Sequence, residues 1–148
     1  MLIKQLFIIF IAISVPINEQ TERFNNLNAL IKTYSKNSKD LKNKKLAIVV
    51  IKQQMCMYCV KKLYEYCKTN KSNNIVYLIN EDIVNNNDED ILKNERNIIV
   101  PNAVIMRRDI GISSLGIVEV HENKIVSIKQ LNIDNIDKNL NEIIKKYN

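Results

Sequence analysis

Glycine and proline are scarce, at 2 residues each in 148. That scarcity excludes collagen-like or proline-rich linker character. It also leaves no glycine-rich loop of the kind that cradles phosphate. There is one histidine, and no Ser/His pair at a recognisable spacing, so nothing points to hydrolysis. Three cysteines are too few for a disulfide scaffold. None is needed as a staple, because the length and the many aliphatic residues suffice for the core of one ordinary domain. No internal repeat and no second domain are visible. No apolar run reaches the roughly 20 residues of a membrane-spanning helix.

The net charge of +6 is unevenly spread. Residues 32–71 carry 11 Lys against Asp40 and Glu65, whereas residues 75–100 carry six acids against Lys93 and Arg96. A basic stretch of this kind can steer acidic partners or anionic lipid. No aromatic residues alternate with the lysines as a base-stacking platform would need, so a solvated lysine surface is expected and nucleic acid is not an expected partner.

What is present begins at the N-terminus. Lys4 precedes the apolar run Leu6-Phe7-Ile8-Ile9-Phe10-Ile11-Ala12-Ile13. A charged start, an apolar stretch of about ten residues and the small residues Ala12 and Ser14 make the pattern of a secretory signal cleaved after Ser14. Residues 1–15 are therefore expected to be a signal peptide or a short membrane tether. Residues 16–148 form the domain, placed outside the cytoplasm in a periplasm, cell envelope or secretory lumen.

Apolar periodicity predicts a helix over 20–35, with Phe24, Leu27, Leu30, Ile31 and Tyr34 on one face. The run Leu46-Ala47-Ile48-Val49-Val50-Ile51 suits a strand buried on both faces. A helix follows from Cys56 to Lys68, with Cys56, Cys59, Val60, Leu63, Tyr64 and Cys67 on one stripe. Residues 75–79 predict a second buried strand, and Asp88 can cap a short helix reaching Asn94. Pro101 stands before the run Asn102-Ala103-Val104-Ile105-Met106, expected as a strand. Residues 116–121 and 124–128 flank Glu122-Asn123 as a hairpin with a two-residue turn. A last helix carries Ile136, Leu140, Ile143, Ile144 and Tyr147 on one face. Helices alternating with buried strands predict an α/β fold with a mixed central sheet and flanking helices.

One motif carries chemistry. Cys56-Met57-Tyr58-Cys59 lies where a strand hands over to a helix. A Cys at a helix N-terminus meets free backbone N–H groups and the positive end of the helix dipole, which favour thiolate over thiol. A second Cys three residues on returns to the same side and can resolve a mixed disulfide. A metal site is not expected. Zinc takes four ligands, and the remaining thiol, Cys67, lies eight residues past Cys59 on the same helix, about 12 Å along its axis. That distance also excludes a Cys59–Cys67 disulfide. Cys67 reads as a small core residue and His121 as a surface hairpin residue.

The order of elements around Cys56 and Cys59 resembles thioredoxin-like proteins over residues 20–148. The segment Ile98-Ile99-Val100-Pro101-Asn102-Ala103-Val104 looks like the family segment that holds a cis proline beside the dithiol. The resemblance implies a three-layer thioredoxin-like fold. It implies Cys56 as attacking thiolate and Cys59 as resolving thiol, with Met57, Tyr58, Val100 and Pro101 facing the substrate. Partners would be protein thiols or disulfides and a redox partner protein, with no cofactor, and the N-terminal segment would bring the chain near a membrane. Thioredoxins carry an Asp six residues before the first Cys and a Trp immediately before it; here stand Val50 and Met55. Either residues 107–115 are an insertion after Pro101, the preferred reading, or Pro101 is not the family proline and the groove is built from the segment around Leu115 and Gly116. The other reading is a non-catalytic module of the same fold with a structural Cys56–Cys59 disulfide.

Overall fold

A computed structural model describes residues 2–37, 39–54, 56–84 and 88–148, with side chains from residue 18 onward. The side chains behind the signal-peptide expectation, in residues 1–15, and Met55 lie outside the described residues. The elements are α1 (Leu2–Tyr34), β1 (Lys45–Ile51), α2 (Met57–Thr69), β2 (Ile75–Asn80), a single 3₁₀ turn (Glu81–Ile83) and α3 (Glu89–Lys93). They continue with β3 (Asn97–Val100), α4 (Asn102–Ile105), β4 (Leu115–His121), β5 (Lys124–Gln130) and α5 (Ile136–Tyr147).

The sheet runs β3-β2-β1-β4-β5. β1 is parallel to β2 and β2 to β3, while β4 is antiparallel to both β1 and β5. β1 is central because its side chains are apolar on both faces, as expected of an unbroken β-branched run. Leu46, Ile48 and Val50 point to one layer, with Phe24, Leu27, Leu30 and Ile31 of α1 and Ile105 of α4. Ala47, Val49 and Ile51 point to the other, with Cys59, Leu63 and Cys67 of α2 and Ile136, Leu140 and Ile143 of α5. Two cores thus sit on the two faces of one sheet, and the fold is a three-layer α/β arrangement. Each fully buried Ile, Leu or Val contributes on the order of 1.5–3 kcal/mol of transfer free energy.

Several expected elements appear in place. Asp88 caps α3 by accepting from the Ile91 N–H at 3.4 Å. The β4–β5 turn has Glu122 at φ 46° and Asn123 at φ 69°, the paired left-handed geometry that two-residue hairpins favour.

The region around Pro101 differs from expectation. The strand ends before the proline, as β3, and residues 102–105 form one helical turn, α4. Proline cannot donate to a ladder, so it ends β3; its fixed φ suits a helix start, and here it is the N-cap, at φ −54°. The Asn102 N–H is taken by Glu81 Oε1 at 3.0 Å rather than by a neighbouring strand. Among the described residues no peptide bond is cis, so the expected cis Val100–Pro101 bond is corrected to trans.

Candidate dithiol site

β1 delivers the chain to the dithiol at the carboxyl end of the sheet. Cys56 is the N-cap of α2, in extended conformation at φ −135° and ψ 105°, so the helix proper starts at Met57. Its Sγ accepts the Cys59 N–H at 3.2 Å, and its carbonyl accepts the Val60 N–H at 2.9 Å. A sulfur therefore occupies the place usually held by a capping Ser or Asp oxygen. That donor and the helix dipole both stabilise negative charge on Cys56 once it is reduced.

Cys56 and Cys59 are joined as a disulfide, with Cα atoms 5.2 Å apart. Cys56 is half-buried, whereas Cys59 has no exposed surface. An attacking reagent therefore reaches the first sulfur and not the second. Met57 and Tyr58 face solvent beside them, 70% and 50% exposed. The Lys62 ammonium stands 5.7 Å from the centroid of the Tyr58 ring and pairs with Asp137, tying α2 to α5. Cys67 is buried in the α2–α5 layer, where desolvation pushes its thiol well above the ordinary range and keeps it protonated. His121 sits at the hairpin tip, paired with Lys45 at the other end of β1. Among the described residues no cluster of three or more His, Cys, Asp or Glu side chains forms.

Val100 ends β3, and Pro101 follows it as the N-cap of α4. β3 lies two strands from β1, about 10 Å at ordinary strand spacing. The Val100 side chain belongs to the α1 layer, while Cys56 packs against the α2 layer on the opposite face. The surface beside Cys56 is instead an open groove of about 440 Å³ lined by Ser113, Ser114, Leu115, Leu131 and Ile133, with Gln130 and Asn132. Leu115 begins β4 opposite Ile51, and the Ser114 carbonyl accepts the Lys52 N–H at 2.8 Å and the Gln53 N–H at 3.1 Å. The two walls are thus joined by backbone bonds one turn before Cys56.

Beneath them lies a polar network that sequence reasoning missed. Asn80, at the end of β2, donates to the Lys52 carbonyl and to Asn102 Oδ1, both at 2.8 Å. Lys52 is 8% exposed, and its ammonium donates to the carbonyls of Arg108 at 3.2 Å and Ile112 at 3.4 Å. Burial lowers its pKa from the ordinary lysine value, against the opposing pull of the Asp109 carboxylate. The one available signal was parity: Lys52 continues the Leu46, Ile48, Val50 alternation, which points it inward.

Comparison with protein-family models, with curated proteins and with solved structures finds no match. Among the described residues no helix is long and apolar enough to cross a membrane.

Proposed function

We propose that the chain is a thioredoxin-like thiol–disulfide oxidoreductase that exchanges disulfides with protein partners through Cys56 and Cys59. The observation that carries this reading is the half-buried Cys56 at the N-cap of α2, disulfide-bonded to a fully buried Cys59. In the reduced form the Cys56 thiolate attacks one sulfur of a partner disulfide. The other partner sulfur leaves as thiolate, and a mixed disulfide forms. Cys59, deprotonated, then attacks the Cys56 sulfur, closing the intramolecular disulfide and releasing the second partner thiol. Two electrons pass to the partner; run backwards, the same steps oxidise it.

The layout supports the family resemblance. A parallel β1-α2-β2 unit is followed by the antiparallel β4-β5 hairpin and by α5, which packs on the same face as α2. In that arrangement the strand that starts beside the dithiol is β4, and Ser114 precedes it where the family proline would stand. β3, α4 and residues 107–114 then form the connection between the two halves.

The test is the reduction potential of the dithiol in glutathione buffers. The expected value lies between about −120 and −270 mV, the span of working exchange proteins. Cys56→Ser should abolish reduction of a protein disulfide. A potential below about −300 mV marks a structural bridge and replaces the proposal with the non-catalytic module.

The N-terminal pattern supports a place outside the cytoplasm, by a cleaved signal or a retained tether. N-terminal sequencing of the chain from cells should start near Val15, or the intact chain should fractionate with membranes. Soluble full-length chain in the cytoplasm would reject that location.

A further inference from the structure

We propose that Lys52 is a positioning residue of the dithiol site, holding residues 107–114 against the end of β1 and so setting the groove wall beside Cys56. The inference rests on the thiol–disulfide reading and adds to it a determinant of how protein partners are gripped.

Lys52 occupies the junction of three segments. Its N–H reaches Ser114, its carbonyl receives Asn80, and its ammonium reaches Arg108 and Ile112. The side chain keeps the inward parity of Val50, on the α1 face, so it does not touch the sulfurs and acts only through the segment it holds. A buried ammonium is costly unless its donors are used. Here both observed acceptors are backbone carbonyls of one loop, six and two residues before Ser114. An apolar residue would fill the same space without that cost, so packing alone does not call for a lysine at this position.

The loop's other ties are weaker or differently placed. Asp109 meets Arg23 and Asn26 at the surface, where exposed pairs contribute little. Gln130 receives the Ser113 N–H and donates to the Gly111 carbonyl, binding the loop to β5, on the groove's far side. Lys52 ties the loop to the segment that leads from β1 to the dithiol. Ser113, Ser114 and Leu115, which the loop delivers, form one lip of the groove.

Lys52→Met keeps the aliphatic stem and removes the two carbonyl bonds, whereas Lys52→Arg keeps the donors. The variants are compared on insulin, a protein disulfide, in turnover with dithiothreitol as the reductant that restores the dithiol, and, pre-reduced, in a single turnover on 5,5′-dithiobis(2-nitrobenzoic acid), a small disulfide that does not need the groove. Lys52→Met should lose about ten-fold or more in kcat/KM on insulin, mainly through KM, the scale on which a displaced binding element acts. Its rate on the small disulfide and its reduction potential should stay within about two-fold and unchanged, respectively. Lys52→Arg should restore most of the insulin activity. Trypsin cleavage after Arg107 or Arg108 should quicken in Lys52→Met alone. Should Lys52→Met not fold, Lys52→Leu, which likewise has no donor, is read in the same way. Equal losses on both substrates, or no loss with unchanged cleavage, would overturn the proposal. If the wild-type protein reduces neither disulfide, the redox reading falls, and the cleavage rates alone decide whether Lys52 holds the loop.

Discussion

Cys56, Cys59 and Cys67 are chemically one residue type in three environments along one helix. Cys56 is half-buried and accepts a backbone N–H; Cys59 is sealed beneath it; Cys67 lies two turns deeper in an apolar layer that holds its thiol protonated. Thiolate fraction and access both set the rate of alkylation. In the reduced protein, iodoacetamide should therefore label Cys56 at least about ten-fold faster than Cys59, and Cys67 only on unfolding. Mass mapping of a time course checks this, and equal rates would remove Cys56 from its role. This pair was legible because a C-x-x-C at a strand-to-helix junction is a local pattern. The far lip of the groove was legible only at Leu115, as the alternative to Pro101, because Ser113, Ser114, Leu131 and Ile133 come from two loops more than fifty residues downstream. Lys52 was passed over because its neighbours in space, Arg108 and Ile112, are set by the sheet register and not by adjacent sequence.

At the scale of elements, strands and helices with long unambiguous periodicity were readable, as β1, β2, the β4–β5 hairpin, α2 and α5 show. The short apolar run at 102–106 was not. Four or five apolar residues fit a buried strand or a single helical turn equally, and here the proline in front tips the balance to the turn. With it went the cis bond expected at Pro101. The residue ends an edge strand two places from β1, and its following turn is held by Asn80 and Glu81. Pro101→Ala should consequently leave the insulin and small-disulfide rates within about two-fold of wild type, since Pro101 follows β3, two strand positions from β1, and is not among the residues that line the groove. Stopped-flow and turnover measurements on the variant decide this. A selective fall in mixed-disulfide release would return Pro101 to the site.

At the scale of the whole molecule, the end of the sheet opposite the dithiol is closed by a buried charge. Glu119 of β4 is 4% exposed, and its carboxylate receives the Tyr147 hydroxyl at 2.8 Å and the Lys146 ammonium, both from the last turn of α5. Burial acts to raise its pKa; the bonds from Lys146 and Tyr147 and the charges of Lys146 and Lys129 outweigh that, leaving it below the reference of 4.5. Asp109, capped by the Gly111 N–H and paired with Arg23, is likewise held below 3.8. A carboxyl whose folded pKa is depressed binds fewer protons folded than unfolded. Its stabilising contribution is complete above the unfolded value and disappears as pH falls through the folded one. Unfolding free energy should thus be level on these accounts from neutrality to about pH 5 and decline below it. Glu119→Gln removes the charge while leaving an acceptor for Tyr147. It should lower stability at pH 7 by about 1–2 kcal/mol, the scale of a lost charge-assisted hydrogen bond. It should also make the acid decline shallower, because one of the four depressed carboxyls, which include Asp40 and Asp88, no longer titrates. Urea unfolding followed by circular dichroism at pH 7, 5 and 3.5 measures both effects. An acid limb as steep in Glu119→Gln as in wild type would show that the α5–β4 closure is not what acid releases. The dithiol, at the far end of the sheet from this charge, should exchange at the wild-type rate in the same variant at pH 7.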